Sequence, residues 1–275
     1  MQVITLGTGC PLPDPDRAGP ATLVQAGGFN LLFDCGRGVL MRAAAVSVGA
    51  GGFTTVFLTH LHSDHTTDLN DIITMQWAMS FTPTPLKIVG PMGTATFVGR
   101  ILEVLRDDIG YRVTHHDDLT WEPMVEVTEV SDGVVFEENR VRVRAEPTDH
   151  RPVDPTVGYR IESEGRSVVI AGDTKPCAGL DRLCAGADLY VQTVVRRAGV
   201  EAVPIPRLLD ILDYHSTIEE TADTATRNGV TTLVMTHPVP APPSGSEQAA
   251  AWVAEASAGF RGTVVLADDL QRFDV

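Results

Sequence analysis

Cysteine is scarce in this chain of 275 residues: Cys10, Cys35, Cys177 and Cys184 stand at scattered spacings with no CxxC pair. Neither a disulfide framework nor a thiolate zinc site is expected, and the thiols read as reduced and mostly buried. No run of about 18 apolar residues occurs, and the N-terminus lacks a basic start followed by an apolar stretch, so the reading is cytoplasmic with no membrane contact. Basic residues are also few. Lys+Arg number 21 against 36 Asp+Glu, a formal charge of −15, and such a field repels phosphate backbones unless a local patch opposes it, which argues against non-specific nucleic-acid binding. With 43% hydrophobic and 21% charged residues, no fixed-period repeat and no polar linker, what remains is an ordinary globular chain, read as a single domain over 1–275.

Short β-branched and Leu-rich runs at Gln2–Leu6, Ala21–Ala26, Asn30–Cys35 and Thr54–Thr59 read as strands of a first sheet. Helices are expected over Arg37–Val48, Asp68–Met79 and Thr94–Leu105. A second set of strands is expected at Glu126–Val130, Arg140–Glu146, Val157–Ser163 and Ser167–Gly172. The C-terminal third then alternates, with DLYVQTV, TLVMTH and TVVLAD as strands and IEETADTATRNG and EQAAAWVAEASAG as helices. This order implies an α/β protein with two sheets face to face and helices outside.

Directly after the strand TTVFLT comes His60-Leu61-His62-Ser63-Asp64-His65, four metal-ligand candidates within six residues. Alternate residues of an extended segment point the same way, so His60 and His62 can converge on one cation while a turn sends Asp64 and His65 toward another. His150 in PTDHRP, Asp173 in AGDTKP and His237 in VMTHPVP each follow an apolar strand, where side chains leave a sheet and gather in a common rim. Seven ligands then fit two cations. A second candidate group surrounds His215: Ser216 with Glu219, or Thr217 with Glu220, has the spacing of a helix capping box. Tyr214 and His215 would precede that helix N-terminus, where an anion is favoured, so His215 could bind phosphate or give a proton to a leaving oxygen.

HLHSDH, with Asp34 before it and His150, Asp173 and His237 after it, resembles the metallo-β-lactamase superfamily over nearly the whole chain. Within it, LGTGCPLPDPDRAGPATL, the FDCGRGVL around Asp34, IVGPMGT at Ile88–Thr94, GDTKP and YHST at Tyr214–Thr217 resemble the ribonuclease Z family, nucleases that mature tRNA 3′ ends. The resemblance implies an αββα sandwich of two mixed sheets carrying two Zn2+, with manganese or iron suited to the same ligands. His60, His62 and His150 would hold one metal, Asp64, His65 and His237 the other, with Asp173 bridging and Asp34 orienting a ligand histidine. Such a pair makes hydroxide available at neutral pH and neutralises a phosphodiester oxygen, with Asp64 orienting the attacking oxygen. In the family the histidine matching His215 serves the leaving group. A homodimer is implied as well.

Two departures from the family stand out. Gln192 and Thr193 occupy the strand where ribonuclease Z carries a His-Glu pair supporting the leaving-group histidine; glutamine cannot change charge and threonine cannot act as a carboxylate base. The stretch from Gly93 to Glu126 carries three Arg and no Lys against seven Asp+Glu, so it cannot serve as a basic tRNA clamp. Two other readings therefore stay open: a metal-dependent hydrolase of a small ester, lactone, sulfate or cyclic phosphate, and a non-catalytic member of the fold. Of the remaining candidates, His115 and His116 read as exposed neighbours in an extended segment and Cys177 as a small buried residue. Trp77 and Met79 read as packing, Arg140, Arg142 and Arg144 as a solvated sheet face, and PVPAPPSG after His237 as a rim loop.

Overall fold

The computed structural model describes residues 1–49, 51–203, 205–243 and 246–275, so the last two residues of PVPAPPSG, Ser244 and Gly245, lie outside the described set. The first half of the chain supplies β1 (Gln2–Gly7), β2 (Ala21–Ala26), β3 (Phe29–Phe33), α1 (Val39–Ala45), β4 (Thr55–Phe57), α2 (Ser63–Thr66), α3 (Leu69–Ala78), β5 (Leu86–Gly90), α4 (Thr94–His115) and β6 (Val125–Glu129). The second half supplies β7 (Gly133–Glu138), β8 (Val141–Pro147), β9 (Val157–Ser163), β10 (Arg166–Ile170), α5 (Ala178–Cys184), β11 (Leu189–Val195), α6 (Arg197–Glu201), α7 (Pro206–Leu209), α8 (Ile211–Tyr214), α9 (Ile218–Arg227), β12 (Thr232–Val239), α10 (Glu247–Gly259), β13 (Thr263–Leu266) and β14 (Gln271–Asp274).

The strands form two sheets, β14-β1-β2-β3-β4-β5-β6 and β13-β12-β11-β10-β9-β8-β7. In the first, β14, β1, β2 and β3 pair antiparallel and β3 to β6 parallel; in the second, β7 to β10 pair antiparallel and β10 to β13 parallel. Each sheet is thus mixed, and the long crossovers that parallel pairing requires carry helices to its outer face.

Side-chain alternation explains why the strands read as nearly continuous apolar runs. Leu31 and Phe33 of β3 enter the core between the sheets with Val143, Tyr159, Ile170 and Val191, whereas Leu32 packs with Val39 of α1, Leu69 and Ile73 of α3 and Val98 of α4. On the other side Val168 faces inward, while Val169, Tyr190 and Leu233 pack against Leu180 of α5, Ile218 of α9 and Trp252 of α10. The layers are therefore helix, sheet, sheet, helix. Near the rim Phe33 stacks on Phe57 at 4.8 Å, and Tyr159 meets Phe57 edge-on at 5.4 Å.

Several expectations need correction. Helix α4 runs past Leu105 to His115, supported by an Asp108–Arg112 ion pair one turn apart at 2.8 Å and by Ile109, which packs with Trp77 and Leu119. His115 is therefore the last residue of a helix rather than part of an extended segment, although both it and His116 are exposed as expected. Helix α1 is shorter than Arg37–Val48 because Gly38 begins it at φ 83 and Ser47 leaves it at φ 66. Trp77 is buried with its indole N–H on the Trp121 carbonyl at 2.8 Å, but Met79 at the helix end is 58% exposed and packs little. Arg142 and Arg144 face solvent as expected and pair with Glu137 and Glu146. Arg140 precedes β8 in a turn at φ 64.

Candidate metal centre

The ends of β4, β8 and β10 and a bulge within β12 deliver the candidate ligands to one rim. Beyond β4, Leu58 is held on both sides, its N–H on the Val89 carbonyl at 2.8 Å and its carbonyl accepting the Tyr159 hydroxyl at 2.7 Å. The extended backbone continues to His62, which caps α2, and that single turn redirects Asp64 and His65 into the rim. His150 follows β8 and Asp173 follows β10. His237 lies inside β12 rather than after it: Thr193 pairs with Thr236 and Val195 with Val239, so His237 and Pro238 together face Val194 in a bulge, with His237 at φ 50. A bulge of this kind re-aims a side chain out of the ladder. The His237 N–H is tied to the Thr8 carbonyl at 3.0 Å.

Gly172 makes the approach of Asp173 feasible. It sits at φ +66, and a Cβ there would come within 2.7 Å of the Thr59 side chain, so glycine is needed both for the turn and for the contact.

The polar tips form two groups: His60, His62, His150 and Asp173 in one, and Asp64, His65 and His237 in the other, each with donor atoms within 4.8 Å of one another. Asp173 reaches both. Its Oδ2 lies 4.0 Å from His60 Nε2, 3.9 Å from His150 Nε2 and 3.9 Å from His237 Nε2, and its Oδ1 lies 3.4 Å from His65 Nε2. His237 Nε2 is 3.1 Å from Asp64 Oδ2. All are buried except half-buried His62, which opens the cluster to solvent.

Hydrogen-bond logic assigns the ring protons. A carbonyl only accepts, so His150 Nδ1 donates to Tyr214 O at 2.8 Å and its neutral ring turns the Nε2 lone pair inward. The Asp34 carboxylate accepts His65 Nδ1–H at 2.8 Å, leaving His65 Nε2 buried and without a partner. The Thr59 hydroxyl donates to Asp34 Oδ2 at 2.8 Å and therefore accepts from His60 Nδ1 at 3.0 Å, which again leaves Nε2 a lone pair. His60 Nε2 and His150 Nε2 both meet His62 Nδ1, at 3.0 and 3.3 Å. Converging lone pairs beside two buried carboxylates are costly in isolation and suit a divalent cation. His237 Nδ1 is also buried without a partner.

The electrostatics point the same way. Burial, aided by His65, pushes the His60 ring well below the usual imidazole range; burial also lowers His62, and it brings His150 down to about 4. For His65 burial is outweighed by Asp173 and Asp34, which hold it well above the usual range. Burial would raise both Asp173 and Asp64, yet His237 and His65 hold Asp173 well below the ordinary carboxylate value, and the His237 hydrogen bond keeps Asp64 low. Neutral rings at His60, His62 and His150 beside ionised carboxylates are a donor set that zinc or a similar cation takes, and a cation bound there would displace the second proton of His65.

His215 joins the same rim, with Nε2 3.1 Å from Asp173 Oδ2 and Nδ1 donating to the Ile211 carbonyl at 3.1 Å. The capping box forms on Thr217 and Glu220, not on Ser216 and Glu219. Glu220 Oε2 accepts the Thr217 N–H at 2.9 Å, so a carboxylate of the chain itself sits at this helix start. Gln192 and Thr193 do not touch His215. Gln192 accepts the Tyr190 hydroxyl at 2.6 Å and donates to the Gly172 and Thr193 carbonyls, and Thr193 Oγ1 donates to Asp173 Oδ1 at 2.7 Å. Cys177 is not simply a buried filler: half-buried, it caps α5 by accepting the Leu180 N–H on sulfur. Glu220 is signalled in the sequence by its capping-box spacing with Thr217, whereas nothing in the sequence marks the parts played by Thr59, the Tyr214 carbonyl and Lys175.

Residues 29–238 match the family model described as "Beta-lactamase superfamily domain". A ribonuclease Z of Mycobacterium avium (strain 104) is 56% identical over 277 aligned residues, covering 100% of this chain and 98% of the relative. That of Mycobacterium tuberculosis (strain ATCC 25618 / H37Rv) is 52% identical, covering 100% and 98%. Among solved structures, human tRNase Z, short form, superposes with a TM-score of 0.71 at 25% identity over 100% of this chain and 99% of the other. The metallo-beta-lactamase fold protein YhfI from Bacillus subtilis gives 0.75 at 21% identity over 99% and 98%, a likeness of fold.

Proposed function

The chain belongs to the beta-lactamase superfamily and, within it, to the ribonuclease Z family, and on that premise we propose that its rim hydrolyses the phosphodiester that joins a 3′ extension to precursor tRNA. It is a metal-dependent hydrolase. His60, His62 and His150 would hold one Zn2+ and Asp64, His65 and His237 a second, with Asp173 within reach of both groups. The observation that carries it is the convergence of imidazole lone pairs onto Asp173, with His65 Nε2 buried and unpartnered.

Bound there, divalent cations would supply Lewis acidity to water and to the phosphodiester oxygens. The side chains do the rest. Asp64, held by His237, orients the attacking oxygen; Asp34 and Thr59 fix the rings of His65 and His60. His215 gives a proton to the departing ribose oxygen, with its ring aimed by the Ile211 carbonyl. The exposed apolar residues Val104 and Tyr111 of α4 support a homodimer, which sedimentation tests, and the free thiols support a cytoplasmic setting.

The deciding experiment offers bis(p-nitrophenyl) phosphate and a 3′-extended precursor tRNA to the purified protein, with and without chelator. Chelator-sensitive cleavage of the RNA is expected. Cleavage of neither substrate overturns the assignment, and cleavage of small esters alone would move it to the other hydrolase reading.

A further inference from the structure

We propose that Lys175 is a positioning residue for His215, acting through Glu220 and the backbone of residues 211–217; this rests on the reading of His215 as proton donor. In this chain no side chain at 192 or 193 supports the His215 ring, because Gln192 is committed to Tyr190 and the Gly172 carbonyl, and Thr193 to Asp173. What aims the ring is the Ile211 carbonyl, at the start of the four-residue α8. A helix that short does not hold itself. Its placement depends on what tethers it.

His150 holds the Tyr214 carbonyl at 2.8 Å and the Val195 N–H the Ser216 carbonyl at 3.0 Å, and GDTKP supplies the remaining tethers. Asp173 meets His215 directly at 3.1 Å, and the Thr174 carbonyl accepts both the N–H and the hydroxyl of Ser216, at 3.0 and 2.6 Å. Lys175 completes the series: its Nζ donates to Glu220 Oε1 and Oε2 at 2.8 and 2.9 Å and to the Leu212 carbonyl at 3.3 Å. Leu212 adjoins Ile211, and Glu220 Oε2 also takes the Thr217 N–H, so one ammonium binds the segment on both sides of His215. The Lys175 N–H reaches the Asp149 carbonyl at 2.7 Å, next to His150, which fixes the base of the lysine to the other side of the rim. The Lys175 and Glu220 side chains are 24% and 33% exposed, so solvent screens the pair in part while its geometry sets the angle of the His215 ring.

The chemistry supplies a signature that a structural role lacks. When the phosphodiester is hydrolysed, the attacking water gives up a proton to solvent by way of the Asp64 carboxylate, its oxygen bonds to phosphorus, the bond to the ribose oxygen breaks, and that alkoxide takes a proton from His215, which is reprotonated from solvent. A p-nitrophenolate leaves without one. Lys175→Met should therefore lower kcat on 3′-extended precursor tRNA about tenfold, with KM, metal content and Tm nearly unchanged, and leave kcat on bis(p-nitrophenyl) phosphate intact. Lys175→Arg should restore most of the loss, and Lys175→Met added to His215→Ala should cost nothing further. A His215→Ala protein impaired on RNA beside a fully active Lys175→Met protein overturns the positioning role alone. Equal losses on both substrates, or losses that add in the double variant, overturn it too. A fully active His215→Ala protein removes the reading beneath it.

Discussion

Asp34 and His65 are joined by a 2.8 Å hydrogen bond from Nδ1 to Oδ2, and the same carboxylate accepts the Thr59 N–H and hydroxyl, each at 2.8 Å. Asp34 holds this position at φ 57, where aspartate is better tolerated than most residues. Three donors thus converge on a buried group that belongs to neither ligand cluster. It sets the tautomer of His65 and, through Thr59, that of His60.

Asp34→Asn keeps the volume but replaces one acceptor oxygen by a donor facing His65 or Thr59. Metal affinity should fall about 10–100-fold, the range for removing a partner behind a ligand histidine. Competition against a chromophoric chelator measures it. An affinity equal to wild type would reduce Asp34 to a turn residue.

Thr193→Val is nearly isosteric and deletes only the hydroxyl that holds Asp173 Oδ1 at 2.7 Å. Leaving that buried oxygen short of a donor should cost about 1–3 kcal/mol of stability in the chelator-treated protein. Added metal should recover part of this, because Asp173 then gains another partner. Thr193→Ser should track wild type in the same melts; a Val variant that melts with wild type in both conditions would detach Thr193 from Asp173.

Much of this site could be read in the sequence because most of its ligands follow apolar strand ends, and HLHSDH packs four of them into six residues. What escaped detection depends on tertiary pairing. β14 is four residues, QRFD, alternately half-buried and exposed, and becomes a strand only beside β1. β5, LKIVG, was visible as part of a motif, but its strand character comes from lying between β4 and β6. The bulge that turns His237 is a register difference between β11 and β12, with no local composition to signal it. The departures at Gln192 and Thr193 were legible as identities, but their new partners, Tyr190 and Asp173, were not. Lys175 gave no signal, since a lysine after a turn is ordinarily solvated.

Gly172→Ala tests the close approach behind Asp173. The added methyl meets Thr59 Cβ and Oγ1 at 2.7 Å with φ at +66, so steric overlap and backbone strain act together. A loss of about 1–3 kcal/mol is expected in urea unfolding. Because Thr59 also donates to Asp34, metal affinity should drop with it, which a variant at a remote glycine such as Gly28, where a Cβ meets nothing within 4 Å, should not show.

Acid should destabilise the metal-free protein through His150. Burial pushes its folded-state value down to about 4 from an ordinary 6.5, so between those pH values the unfolded chain binds a proton that the native chain does not. Stability from this group is complete above pH 6.5, declines as pH falls toward 4 and loses nothing more below, with a total of about 3 kcal/mol at most. His60 and His62, also lowered, act in the same direction; His65, raised, acts in the opposite one, its contribution being full below its unfolded value and lost as pH rises through the folded one. Melting curves of chelator-treated protein from pH 8 to 4 should fall in Tm toward acid, and His150→Gln, which removes one titrating ring, should flatten the slope. Bound cation competes with the same protons, so the metal-loaded protein should hold its Tm to lower pH and then lose metal and stability together. A Tm that rises on acidification over this window would mean that His65 and its carboxylates outweigh the three depressed rings.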